Sequence, residues 1–246
     1  MYQWFVWYNM VHSGTSPWHG FVSSRVSSSC RGRAAGIIAT AMGKLTTRNN
    51  QDIQAEPKGN PDGKGLNGFL LDWYKTEPRG VVAKPDRQVM AEFFTSMLVL
   101  SAQFKYEPTI GVHNYLYFIR GDWQLSLIAP DEWNEERQLA FVGTCILQAD
   151  QTWTIEPSGR LKESATIAEA IAGFFSAFDE MLDTDSTLED ILPFYVQHLP
   201  YYQRLHAAGL SRSIRSAVKL GDQQMRRARD WRLALPPPER MLALPQ

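Results

Sequence analysis

HNYLYFIRGDWQLSLIAPDEW, residues 113–133, is the stretch that decides the fold. Apolar and polar side chains alternate along its first eight residues, which is the period of a β-strand and not of a helix. Gly121 and Asp122 then form the kind of dipeptide that closes a two-residue hairpin turn. We therefore predict two antiparallel strands joined at this turn, with Phe118 opposite Leu125.

The two faces of this hairpin differ in character. The predicted register places Leu116 and Leu127 on an apolar core face, whereas the other face is aromatic and partly polar. We group Tyr115, Tyr117 and Trp123 as the aromatic face, because flat amphipathic rings offer a large contact area to a peptide or to nucleobases. Packing under the C-terminal helices is the alternative explanation for these rings.

Strand signals continue beyond the hairpin. A third strand is predicted at residues 139–148, with Gly143 as a candidate bulge. Asp150 starts a turn that leads into a fourth strand at residues 152–155. Together these segments predict a four-stranded antiparallel meander.

Helical periodicity flanks the predicted sheet on both sides. Before it, Asp86 is expected to cap a largely buried helix that runs to about Phe104. After it, Thr166 and Ser186 begin capping-box patterns, and Gly209 is expected to end one helix before the last one begins. The predicted fold class is α+β, with an antiparallel four-stranded β-meander packed between a central helix and a C-terminal helical bundle.

Composition divides the chain into segments. Residues 1–51 contain no Asp or Glu but several Arg and Ser, which predicts a disordered, targeting or spurious extension. Organelle targeting by residues 1–41 and a natural start at Met42 are both open at this point. The other predicted segments are a loop-rich arm at 52–84, a helix plus meander at 85–157, the C-terminal helical part of the same domain at 158–235 and a Pro-rich tail at 236–246.

Charge and cysteine content limit the partners and the compartment. The formal net charge is −1, so no global field attracts nucleic acid or an anionic membrane. Cys30 and Cys145 are too few for a disulfide framework, which favours a reducing compartment, and we expect a cytoplasmic location. No apolar run approaches the roughly 20 residues needed to cross a bilayer, so we expect a soluble protein without a membrane partner.

No motif predicts catalysis, a metal or a cofactor. The five histidines form no pair with the spacing of metal ligands on a helix. The segment Gly59–Gly65 resembles a phosphate-binding loop only superficially, because its spacing is one residue short and Gly65 stands in place of the Ser or Thr that binds magnesium. We therefore predict no cofactor and do not expect an enzyme.

Several short motifs resemble an uncharacterised family found from bacteria to vertebrates. They are HNYLY at residues 113–117, SLIAPDEW at 126–133 and LQADQTW at 147–153. They are similar to the Tyr-rich strand, the Ser-apolar-Ile-x-Pro-x-Glu-Trp segment and the closing Leu-Gln-x-Asp-x-x-Trp of domain-of-unknown-function family 2452. The resemblance covers residues 115–153 and implies no activity. Within it, Glu132 either recognises a ligand or caps a turn.

Three functional hypotheses follow. The leading one is a non-catalytic protein or peptide interaction domain that uses Tyr115, Tyr117, Trp123, Glu132 and Trp133. The second is RNA or DNA binding through the aromatic face and a basic stripe on the last helix, Arg212, Arg215, Lys219 and Arg226. The third is an enzyme that acts on a small molecule near His113 and Glu132.

Overall fold

The predicted hairpin is present in the computed structural model, which describes residues 65–159, 161, 164–194 and 199–237. Predictions for the extension at residues 1–51, for Cys30 and for the chain beyond residue 237 concern residues outside this description. The described residues from Gly68 onward fall into one compact unit.

Helices and strands alternate in blocks along this unit. The helices are α1 (Leu66–Lys75), α2 (Asp86–Ser101), α3 (Glu135–Leu139), α4 (Ala165–Leu182), α5 (Leu188–Ile191), α6 (Tyr201–Leu220) and α7 (Ala228–Arg232). The strands are β1 (His113–Ile119), β2 (Asp122–Ser126), β3 (Phe141–Leu147) and β4 (Trp153–Pro157), with a 3-10 turn at Pro130–Glu132. The α+β class is therefore confirmed. Helix α1 lies in the segment predicted as a loop-rich arm, and α3 takes the first residue assigned to the third strand.

The β1–β2 hairpin turns one residue earlier than predicted. Arg120 and Gly121 form its two-residue loop with positive φ angles of 54° and 90°, as a type I′ turn requires. The register consequently pairs Phe118 with Trp123, so the predicted pairing of Phe118 with Leu125 is wrong by two residues. A shift of two keeps each side chain on the same face of the sheet.

The sheet has four antiparallel strands in the order β2-β1-β3-β4. β3 pairs with β1 and not with β2, so the connection between β2 and β3 crosses over β1. The register between these two strands shifts where Leu116 faces Gly143 and Tyr117 faces Phe141. The extra residue, Val142, is next to Gly143, which confirms the predicted position of the bulge.

Helix α2 is central, as predicted, and 13 of its 16 residues are buried. It contacts β2 and β4 as well as α4 and α6, so it lies between the sheet and the C-terminal helices. Its Phe93 and Phe94 meet Phe178 edge to face at ring-centre distances of 5.2 and 5.4 Å. The helix ends at Ser101, before the predicted end at Phe104, because the residues that follow pair with β2 instead.

Gly209 does not end a helix, and α6 continues through it from Tyr201 to Leu220. A Cβ atom at this glycine would lie 3.0 Å from the Thr76 carbonyl oxygen and 3.1 Å from Gln151 Oε1. The glycine therefore allows a close approach between α6 and its neighbours rather than terminating the helix.

The helix caps lie close to the predicted positions but on other residues. Asp86 is the first residue of α2 and Pro85 occupies its cap position, whereas the Asp86 carboxylate binds Arg226. Ser164, not Thr166, caps α4 by accepting a hydrogen bond from the Ile167 N–H. In α5 the capping box is made by Thr187 and Asp190 rather than by Ser186 and Glu189. In α4 and α5 a neighbouring Ser or Thr supplies the cap, whereas α2 has no side-chain cap.

A buried ionic cluster joins three parts of the unit. Lys84 Nζ lies 2.6 Å from Glu92 Oε2 and 2.7 Å from Asp150 Oδ2. Burial lowers the pKa of Lys84, but its hydrogen bonds to Asp150 and Glu92 outweigh this and raise the pKa above its ordinary value. Asp150 also accepts from the Thr152 N–H, which confirms that it starts the turn between β3 and β4. The cluster thereby connects the segment before α2, α2 itself and this turn.

Candidate functional site

Tyr117 is buried, which corrects the prediction that it faces a ligand. It is only 2% exposed, and its ring lies 5.6 Å from that of Phe141. Its hydroxyl donates a hydrogen bond of 2.9 Å to the Ile128 carbonyl oxygen. Burial raises the pKa of Tyr117 to about 12, and the nearby indole N–H of Trp133 acts in the opposite direction. Tyr117 therefore anchors the segment that follows β2.

Trp133 and Glu132 belong to this covering segment. The Arg137 guanidinium stacks over the Trp133 ring at 4.0 Å from its centre, and the indole is half-buried. Glu132 Oε1 accepts a hydrogen bond of 3.3 Å from the Ala129 N–H, so this carboxylate caps the 3-10 turn. Of the two roles considered for Glu132, the turn-capping one accounts for its observed contact.

Trp123 does not belong to the aromatic face, which corrects the predicted grouping. It is 4% exposed and lies on the inner face with Leu125, where its ring is 4.7 Å from that of Phe118. Strand alternation alone requires this placement, because residues 123 and 125 point to the same side. Tyr115 is then the aromatic residue of the grouping that stays half-open, 6.2 Å from Phe141.

Exposed aliphatic side chains lie in the two segments that flank the β1–β2 hairpin, at the end of the sheet away from its turn. The hydrogen bond from the Gly111 N–H to the Leu147 carbonyl oxygen holds the loop before β1 at the end of β3. Leu127 and Ile128 follow directly after Ser126, which pairs with Tyr115, so the segment after β2 begins at the same end of the sheet. We define the aliphatic patch as Ile110, Val112, Leu127 and Ile128, which are 42%, 44%, 53% and 40% exposed.

Both edges of the sheet are partly closed. Along β2, the Gln103 N–H donates to the Trp123 carbonyl and the Gln103 carbonyl accepts from the Leu125 N–H, at 2.8 and 3.1 Å. Along β4, the Trp153 N–H donates to Ser96 Oγ at 2.8 Å, and Pro157 has no N–H. These contacts occupy groups that an added strand would need.

The basic residues of the predicted stripe are largely engaged within the protein. Arg212 lies 2.6 Å from Glu77 and stacks on Trp73, Arg215 lies 2.7 Å from Glu189, and Arg226 binds Asp86. Lys219 is exposed on α6. The stripe is also split, because α6 ends at Leu220 and Arg226 follows in the next loop.

The features considered for chemistry do not assemble into a reaction centre. His113 is exposed at the start of β1, and Glu132 caps its turn. Cys145 is fully buried, which raises the pKa of its thiol and keeps it protonated. Within the described ranges, no three His, Cys, Asp or Glu side chains are grouped as a metal site would require. None of the helices described in the structure combines the length and apolar character needed to span a membrane.

Comparison with known proteins adds no identification, since no family model, curated protein or solved structure matches the chain. The resemblance to the uncharacterised family over residues 115–153 stays a prediction. In the structure, characteristic residues of that stretch have packing roles: Trp153 is fully buried, and Gly143 lies at the bulge.

Sequence reasoning missed the aliphatic patch. A signal was available at Leu127 and Ile128, where two successive apolar residues break the alternation of β2. In extended backbone the two side chains would point to opposite sides, so they could not both be core residues; in the structure the chain bends at both positions and both are exposed. No comparable signal marks Ile110 and Val112, whose exposure depends on where the loop before β1 lies.

Proposed function

We propose that this domain is a non-catalytic interaction module that binds an apolar segment of a partner protein at the aliphatic patch. The observation that carries the proposal is the grouping of four exposed aliphatic side chains at one end of the sheet, beside Tyr115. Single exposed apolar residues are ordinary on protein surfaces, but a group of them is typical of interaction sites.

The closed edges determine the mode of binding that we propose. A partner that added a strand would need free backbone groups along β2 or β4, and Gln103 and Ser96 already occupy several of them. Contact through side chains has no such requirement. Leu127 and Ile128 supply aliphatic surface for it, and Tyr115 supplies a rigid aromatic ring.

Nucleic-acid binding has less support. Three of the four basic residues proposed for it already bind carboxylates, and moving them to phosphates would leave those carboxylates unpaired. Lys219 alone gives little of the phosphate contact on which such binding depends.

The interaction proposal is tested by selecting short random peptides, displayed on phage, against the full chain. We expect selected peptides to be apolar and to lose at least about tenfold in affinity for Leu127→Asp, because a charge in the patch would have to be desolvated on binding. Affinities would be measured by fluorescence polarisation on labelled peptides, and thermal unfolding would show that the variant folds.

Leu220→Asp is the matched control, since Leu220 is 58% exposed and lies at the end of α6, outside the patch. Peptides should bind this variant as they bind the unmodified protein. Equal binding to the Leu127→Asp and Leu220→Asp variants would contradict the proposed site, and so would a failure to select any peptide.

A further inference from the structure

A cavity of about 590 Å³ lies at the turn end of the β1–β2 hairpin, opposite the end that carries the aliphatic patch. Its walls come from the hairpin turn, from α3 and from the first turn of α4. The volume falls within the range of small-molecule sites in proteins. The cavity is separate from the aliphatic patch.

Two arginines line the cavity without an ion pair. Arg120 and Arg137 have no carboxylate partner in the part of the chain that the structure describes, although Arg212, Arg226 and Arg232 each have one. Stacking on Trp133 holds the Arg137 guanidinium in place. Both guanidinium groups can therefore bind a planar anion through paired N–H donors.

The backbone of Arg120 is a separate indication that its side chain has a role. Its φ of 54° lies in the left-handed region, which Gly, Asn and Asp adopt far more readily than a long side chain does. Arg120 thus takes a conformation that disfavours it, at a position that lines the cavity. Such residues cluster at binding sites, where the side chain is needed more than the local stability.

Helix α4 adds to the positive potential at this place. Thr166 and Ile167, in its first turn, line the cavity. The first N–H groups of a helix have no intrahelical acceptors, and the aligned peptide dipoles of this 18-residue helix favour an anion there. Ser164 Oγ accepts a hydrogen bond from the Ile167 N–H, which leaves the other N–H groups of the first turn to a ligand or to solvent.

The remaining lining limits the class of ligand. Asp122 and Glu136 also line the cavity, so a phosphate, with its charge of about −2, would meet more repulsion there than a single carboxylate would. Phe118 and Leu139 provide an apolar surface. A ligand with a single negative charge and an apolar part matches both features.

We propose that this cavity binds a small monocarboxylate that carries an apolar group. The carboxylate pairs with Arg120 and Arg137, and the apolar group packs on Phe118 and Leu139. The proposal concerns binding only and includes no reaction.

Calorimetric titration of the full chain with phenylacetate tests the proposal. We expect a Kd of about a millimolar, as suits so small a ligand, and at least about a tenfold loss of affinity for Arg120→Asn. Asn followed by Gly is the favoured dipeptide of a type I′ turn, so this variant should unfold at the same temperature or higher. A loss of binding in it therefore reports the missing guanidinium and not a damaged fold.

Three further measurements complete the test. Arg87→Gln, which changes an exposed arginine of α2 outside the cavity, should bind phenylacetate normally. Leu127→Asp should also bind it normally, so failure of this proposal is distinguishable from failure of the interaction site. Benzyl alcohol should bind at least about tenfold more weakly than phenylacetate. Equal binding of the two compounds, tighter binding of phenyl phosphate, or full affinity in Arg120→Asn would overturn the proposal.

Discussion

Gly143 of β3 lies against the backbone of β4. A Cβ atom there would lie 2.6 Å from the Glu156 carbonyl oxygen and 3.1 Å from the Pro157 Cα, both of which are backbone atoms. Because backbone atoms cannot turn aside as a side chain can, Gly143→Ala should displace β4. We expect it to reduce the free energy of unfolding by about 2–3 kcal/mol, as measured by urea denaturation.

Gly173→Ala provides the comparison for this substitution. Gly173 is exposed in α4, and an added Cβ would meet no atom within 4 Å. Since alanine is the better helix former, that variant should gain about 0.5–1 kcal/mol. Similar effects of the two substitutions would show that β4 tolerates a side chain at residue 143.

Individual residues also show what sequence reasoning can reach. Gly143 was identified because a glycine within a strand pattern has few explanations other than a bulge or a close contact. Gly209 was misread, since the contact that requires it involves Thr76 and Gln151, both far away along the chain. The same local signal was therefore informative within the sheet and misleading in α6.

At the scale of elements, the Lys84 cluster is the connection that a single substitution tests best. Lys84→Met would leave the Glu92 carboxylate, whose side chain is 4% exposed, beside Asp150 without a counter-charge. Breaking a buried ion pair in this way costs about 3–5 kcal/mol, and we expect a loss of that size in the free energy of unfolding.

Lys75→Met separates this effect from the general loss of a lysine. Lys75 also contacts two carboxylates, on Asp72 and Glu107, but its side chain is 58% exposed. Glu107 is partly exposed, and the Asp72 side chain, which is 7% exposed, keeps its hydrogen bond of 2.9 Å from the Tyr201 hydroxyl, so the loss should stay below about 1 kcal/mol. If both variants lost equally little stability, the cluster would not be the structural connection described above.

The helices and strands were predicted better than the turns and pairings that connect them. The hairpin, the central helix and the four antiparallel strands follow from hydrophobic periodicity, which depends on burial and therefore reflects the fold. The hairpin turn was misplaced by one residue because Gly121 fits a turn with either Arg120 or Asp122, and both of the turn types that result match the twist of the strands. Which strand pairs with β3 depends on contacts between residues far apart in the chain, and no local sequence pattern indicates these.

The stability of the whole unit should depend on pH through His206. This residue is 4% exposed on α6, with its Nδ1 3.3 Å from Gln151 Oε1, and burial lowers its pKa to about 4. The unfolded chain binds a proton at His206 below about pH 6.5, whereas the folded protein does not until about pH 4. Stability is therefore lost as the pH falls through this window, by about 3 kcal/mol in total.

Urea denaturation of the unmodified protein and of His206→Gln, compared at about pH 7 and pH 4.5, measures this contribution. Glutamine is polar and uncharged at both pH values, so the variant keeps only the pH dependence of the other groups. The unmodified protein should lose more stability than the variant on acidification. Parallel losses would show that His206 is protonated in the folded protein.

The site was less predictable than the fold because it is a property of the whole molecule. The sequence pointed to Tyr115 and Trp133, but the aliphatic patch and the cavity each combine segments that lie apart in the chain. Exposure is set by what the rest of the protein leaves uncovered. The sequence does not distinguish an apolar residue that is buried from one that lies on the surface.

The contacts of Gln103 and Ser96 along the outer strands have a consequence for the protein at high concentration. The growth of a fibril requires each molecule to present a row of unpaired backbone N–H and C=O groups to the next molecule. Here Gln103, in the segment after α2, interrupts that row along β2, and the Ser96 hydroxyl of α2 interrupts it along β4. Fewer backbone groups are therefore left through which two folded molecules could pair edge to edge.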